Sequence, residues 1–167
     1  ALFAEAVRPD QLPLIHDVAK SLAARTLEPN AFYEPAFLVH ALHHFKGRVS
    51  IVLVWANTQR THLLGLFPLA MPRFDVAAPV LRGWITPYMT NGAPLMDADA
   101  AQSVFACFMQ WVEDEAGAAA AVIFPSLSLN GPVAAIMRAH AVRAGVLTQT
   151  FGGRTRAVMS RAKSVDE

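Results

Sequence analysis

Apolar and polar positions along the chain follow two rhythms. Four stretches repeat their apolar residues at the helical period and begin or end on capping residues. Asp10 is placed to cap the first, whose Leu12, Leu14, Ile15, Val18 and Leu22 share one face as far as about Arg25. Pro35 opens a second over about 35–45, which Gly47 closes. Asp97 caps the third, where Val104, Phe105, Phe108, Trp111 and Val112 keep the period up to about Gly117. Asn130 caps the fourth, with Pro132 in its first turn. That helix carries Ile136 and Met137 and ends at Arg143 and Gly145, with cations at the negative end of its dipole.

Between the helices lie strand-like runs: "LFAEAV", "RVSIVLVWA", "LLGLFPLAM", "VLRGWIT", "AAVIFPSL", "GVLTQTF" and "RTRAVMS". The polar "NTQRT" reads as the turn of an antiparallel hairpin between the second and third. The predicted order is β, α, α, β, β, β, α, β, α, β, β. No repeat or internal linker interrupts it, which fits a single α/β domain over 1–160. Residues 161–167 then form a frayed tail or the start of a connection.

Composition narrows the partners. Charged residues make up only 16% of the 167, and the formal net charge is +1, so nothing points to nucleic acid or to an acidic membrane surface. The hydrophobic fraction of 54% is high, yet no apolar run reaches the roughly 20 residues that span a bilayer. That combination predicts a domain that associates with another. The start "ALFAEAV" shows no secretion signal, which makes the cytoplasm the expected location. A single cysteine, Cys107, lies among Val104, Phe105, Phe108 and Met109, the setting of a buried inert thiol.

The element order resembles the acyl-CoA-dependent N-acetyltransferase (GNAT) fold, a mixed central sheet flanked by helices. Two stretches sharpen that. "NAFYEPAFLVHAL" is similar to an Asn-x-Phe-aromatic-Glu-Pro-x-Phe signature, carried here by Asn30, Phe32, Tyr33, Glu34, Pro35 and Phe37. "GLFPLAM" followed by "WITPYMTNGAPLMD" is similar to a hairpin and Pro-Leu-Asp block, with Gly92, Pro94, Leu95 and Asp97. Both resemble the acetyltransferases of cellulose biosynthesis, to whose first half this chain corresponds. The resemblance implies a second acetyltransferase-like domain and acyl transfer from acetyl-CoA, or another acyl-CoA, to a small glycan-related acceptor. One departure stands out. In the GNAT fold a loop of Arg or Gln followed by Gly and Gly or Ala cradles the pyrophosphate at a helix N-terminus. Here Met89 and Pro94 stand at two of those positions, and Asp97 would set a negative charge beside the anion. The expectation is that this half binds acyl-CoA weakly and that the second half carries it. The alternative is a non-catalytic domain of the same fold that docks a partner or a second copy.

Several residues are candidates for chemistry, each with a structural alternative. In "NAFYEP", Asn30 would form a turn, Phe32 and Phe37 would staple the loop to the core, and Glu34 would lie near the positive end of the helix that Pro35 opens. In a site, Glu34 would be a general base or orient the acceptor, and Tyr33 would be a stacking platform. The resemblance places Tyr88 and Asn91 where the sheet splays, Tyr88 as proton donor to a leaving thiolate or as loop packing. Arg154 and Arg156, two apart in a predicted strand, either hold an acceptor carboxylate or phosphate or line a solvated edge. His40, His43 and His44 have helical spacing but no carboxylate or thiol beside them to complete a metal site, and Trp55, Trp84 and Trp111 read as packing. The last two strands are the expected seat of a homodimer held by apolar contacts and only mildly sensitive to salt.

Overall fold

The computed structural model describes residues 1–45, 47–71, 79–115 and 119–155. The strands are β1 (Phe3–Val7), β2 (Val49–Trp55), β3 (Leu63–Ala70), β4 (Val80–Gly83), β5 (Leu95–Met96) and β6 (Ala121–Ile123). The helices are α1 (His16–Ala24), α2 (Pro35–His44), α3 (Ala101–Glu115) and α4 (Pro132–Ala144), with a 3-10 stretch at Pro9–Ile15.

The strands form one mixed sheet in the order β1-β2-β3-β4-β6. The β1, β2 and β3 neighbours are antiparallel, and β4 and β6 are parallel. β3 serves two partners: its Leu69 and Ala70 face Gly83 and Arg82 of β4, while Gly65 and Leu66 face Met96 and Leu95 of β5. Side chains of β2 alternate between two cores. Ile51, Leu53 and Trp55 join Leu22, Leu38 and Leu42 under α1 and α2. Val52 and Val54 join Phe105, Phe108 and Val133 under α3 and α4. Both faces being covered is why "SIVLVW" is almost continuously apolar.

Five expectations need correction, one of them at α4, whose N-cap is Gly131 with no side-chain cap bond, so that Asn130 does not cap it and Glu28 takes the Val133 N–H instead. The first helix does not run unbroken from Asp10: Pro9–Ile15, with Pro13 inside it, is a 3-10 stretch, α1 starts at His16, and Leu14 is 83% exposed. Asp10 pairs with Arg8, while the Arg8 N–H donates to Gln11 Oε1. The run "VLRGWIT" is a strand only as far as Gly83, with one more bond to β3 from the Trp84 N–H to the Pro68 carbonyl, and β3 then takes up Leu95 and Met96 instead. "GVLTQTF" is no strand: residues 146–151 lie exposed after Gly145, which closes α4 with φ 66°. Most of "RTRAVMS", from Arg156 on, lies outside the described residues.

Candidate functional site

The signature around Asn30 turns out to be a joint between the loop preceding α2 and the segment 84–94 between β4 and β5. Asn30 is buried. Its Nδ2 donates to the carbonyls of Ala93 at 2.7 Å and Asn91 at 3.3 Å, and its Oδ1 accepts the Phe32 N–H at 3.1 Å. Asn91 answers with Nδ2 on the Pro29 carbonyl and Oδ1 accepting the Ala93 N–H at 2.9 Å. Tyr33 is 1% exposed and donates its hydroxyl to the Trp84 carbonyl at 2.6 Å. Its phenol is pushed up by burial, and no ring face is left for a ligand to stack on.

Glu34 is different. It sits at the N-cap of α2, is exposed, and makes no side-chain cap hydrogen bond, so its carboxylate is open to solvent at the positive end of the helix. Tyr88 is 74% exposed, and its ring tilts against Phe45 at 5.8 Å, beyond the other end of α2. Ten residues of helix separate those ends by about 15 Å. Glu34 and Tyr88 are both accessible, Glu34 at the start of α2 and Tyr88 against Phe45 past its end. Phe32 is half-buried and meets Phe37 edge-on at 5.4 Å, which makes the expected staple, although Phe37 stays 39% exposed. Arg154 is exposed, and Arg156 lies outside the described residues. Among the described residues, no three His, Cys, Asp or Glu side chains gather as a metal site would require.

Two carboxylates that were not read as paired do more to define this end of the sheet. Asp97 accepts the Asp99 N–H at 3.1 Å and forms an ion pair with Arg25, which also donates to the Leu63 carbonyl and to Ser21 Oγ. Glu28 Oε2 accepts the Val133 N–H in the first turn of α4 at 3.3 Å. It can come that close because residue 131 is Gly: a Cβ there would stand 2.5 Å from the same oxygen. The signal for both was weak, since Arg25 lies 72 positions from Asp97 and Glu28 lies 105 from Val133.

These groups bear on acyl-CoA. A pyrophosphate at a helix start needs free N–H groups and no competing anion. Here Asp97 stands at the start of α3 and Glu28 at the start of α4, each already holding an N–H. Pro94 is buried and has no N–H to give. The segment 84–94 closes against the loop after β6: the Gly92 N–H donates to the Ser126 carbonyl, and a Cβ on Gly92 would lie 2.1 Å from the Pro125 oxygen. The residues present do not fit the cofactor's pyrophosphate. Two cavities lie elsewhere, one of about 210 Å³ beside Leu14, His16 and Arg60, and one of about 390 Å³ beside Arg8, Leu42 and Arg48. Neither is lined by Glu34, Tyr88 or Asn91.

No protein-family model matches the chain, and no curated protein matches it. Solved structures do. A ribosomal-protein-alanine N-acetyltransferase from Brucella melitensis aligns with TM-score 0.52 at 8% identity, covering 95% of this chain and 100% of that one. An aminoglycoside acetyltransferase from an uncultured soil metagenomic sample aligns with TM-score 0.52 at 10% identity, covering 95% and 99%. A GNAT family acetyltransferase from Staphylococcus aureus gives 0.50 at 10% identity, covering 94% and 99%. With its mixed sheet, its parallel β4 and β6 and its helices on both faces, the chain has the fold of the GNAT acetyltransferases.

Proposed function

We propose that this chain is the acceptor-side half of a two-domain acetyltransferase, in which a second acetyltransferase-like domain holds acetyl-CoA or another acyl-CoA. The observation that carries this reading is the start of α3 and α4, where Asp97 accepts the Asp99 N–H and Glu28 the Val133 N–H, so that each site already holds a carboxylate that would oppose a pyrophosphate. The acceptor is a small glycan-related molecule, in keeping with the resemblance of "NAFYEP" and "NGAPLMD" to acetyltransferases of cellulose biosynthesis. Glu34 is the group on this chain best exposed to orient or deprotonate such an acceptor, with Tyr88 as a separate contact. Calorimetric titration with acetyl-CoA tests the cofactor part. No saturable heat is expected up to about 1 mM, where binding free energy would be only about −4 kcal/mol. A low-micromolar dissociation constant overturns the reading.

The second reading, a docking domain without chemistry, is favoured by the exposed Val142, Leu147 and Phe151 after and along α4. Glu34→Gln separates the two. Loss of turnover in the two-domain protein at unchanged stability supports the acceptor-side role, and unchanged turnover supports docking alone.

A further inference from the structure

The net charge of +1 hides an uneven distribution. From Ala116 to Val165 there is no Asp or Glu, while Arg138, Arg143, Arg154, Arg156, Arg161 and Lys163 all fall there. In the described part of this segment, Arg138, Arg143 and Arg154 are exposed. Large apolar side chains share the surface with them: Val142 is 83%, Leu147 98% and Phe151 68% exposed. α4 buries Val133, Ala134 and Ala141 and leaves Val142 outside. A face made only for water would mix acids among its cations and keep such side chains inside. Cations around exposed apolar residues suit a partner that is acidic and partly apolar.

The chain carries an acidic surface of its own. Glu113, Asp114 and Glu115 end α3, exposed, at the negative pole of the helix dipole, where carboxylates are disfavoured. Asp114 accepts a hydrogen bond from Gln110, but among the described residues none of the three forms an ion pair. The acidic and basic surfaces are neighbours. α3 and α4 start at the same end of the sheet, since Arg25 and Glu28 reach from one loop to the start of each. They run side by side, with the Phe105 ring edge-on to His140 at 5.2 Å. From Phe105, α3 advances about 12 Å to Glu113, and from His140, α4 advances about 6 Å to Ala144, toward the same end.

We propose that two copies associate about a two-fold axis at this end of the sheet, the Glu113–Glu115 end of each α3 resting on the Arg138, Arg143 and Leu147 surface of the other copy. Adjacent patches of opposite sign satisfy such an axis, because each contact is then made twice. An anionic membrane would also attract the arginines, but it would repel the three carboxylates at the same end of α3 and α4. The dimer does not depend on the acyltransferase reading. It also changes the expected salt response, since ionic contacts at a surface are screened as salt rises.

Sedimentation velocity tests this with two charge-reversed variants, Arg138→Glu/Arg143→Glu and Glu113→Lys/Glu115→Lys, with circular dichroism to confirm folding. The parent chain should dimerise at low salt, with self-association about ten-fold weaker when NaCl rises from about 0.05 M to about 0.5 M. Each variant alone should be monomeric at concentrations where the parent is dimeric. An equimolar mixture of the two should recover a dimer, because both contacts regain opposite signs. Should a reversed variant misfold, the Gln versions at the same positions replace it, with partial weakening expected. An 18.1 kDa monomer at high micromolar concentration in low salt overturns the proposal. So does a dimer untouched by either variant, or a mixture that stays monomeric. Phosphatidylserine vesicles that bind a monomeric parent, but not the Arg138→Glu/Arg143→Glu variant, would assign the surface to lipid instead.

Discussion

Asp97→Asn removes one charge from the pair that joins α1 to the start of α3 while keeping the side chain's size and its acceptor for the Asp99 N–H. The Asp97 side chain is 9% exposed and that of Arg25 is 28%, so the pair is mostly shielded from water. Breaking a fully buried pair costs about 3–5 kcal/mol, chiefly because the surviving charge is stranded. Arg25 would not be wholly stranded, since it keeps the Leu63 carbonyl and Ser21 hydroxyl and some contact with solvent. The expected cost is therefore about 2–3 kcal/mol, or about 4–12 °C in melting temperature for a chain of this length. Arg25→Met should cost as much or more, because it leaves the better-buried Asp97 carboxylate alone. Urea unfolding of both single variants and the double variant closes a cycle, and the coupling should be about 1–2 kcal/mol. A destabilisation by Asp97→Asn of under about 0.5 kcal/mol, or additive effects of the two changes, would refute the view that this ion pair is a structural latch.

Tyr33→Phe should cost about 1–2 kcal/mol by leaving the Trp84 carbonyl without its donor. It should also flatten an alkaline loss of stability. Burial raises the phenol in the folded state, so the folded chain holds the proton longer and stability falls as pH climbs past the ordinary phenol value of about 10; a melting series from pH 8 to 11 checks the sign. Phe32→Ala should destabilise more than Phe37→Ala, because Phe37 keeps 39% of its surface in water, and Glu34→Gln should stay within about 0.5 kcal/mol in denaturant melts. Gly92→Ala should destabilise by more than the loss of any one hydrogen bond, since its Cβ would meet the Pro125 backbone; a melting temperature equal to the parent's would contradict that packing.

What the sequence revealed and what it concealed divide by range. α3 was readable because Val104, Phe105, Phe108, Trp111 and Val112 repeat at the helical period, and all five are buried where that period puts them. β2 was readable because a strand covered on both faces is continuously apolar. The 3-10 stretch was missed because an apolar period carried through Pro13 does not distinguish a 3-10 turn from an α-helix. The division of "VLRGWIT" depends on which partner β3 finds at each of its ends, a competition that no local pattern encodes. At the candidate site, the importance of "NAFYEP" was visible but its task was half seen. Asn30 and Tyr33 spend their polar atoms on the backbone of residues 84, 91 and 93, and main-chain acceptors leave no mark in a sequence. Arg25 and Glu28 went unremarked because their partners, the Asp97 carboxylate and the Val133 N–H, lie 72 and 105 positions away.

The joint between residues 25–33 and 84–98 also bears on the order in which the chain can fold. Its backbone bonds, Leu27 to Met96 and Ala98 to Arg25, and its side-chain bonds from Asn30 and Tyr33 close loops more than fifty residues long. Closing a loop of that length carries an entropic cost that no single bond in the joint repays. β2 and β3, joined by a short turn, can pair early. The joint must wait until β3 has captured β5, and then its bonds form as a group. Its amides should accordingly open and exchange with solvent together, as one cooperative unit, rather than fraying one by one.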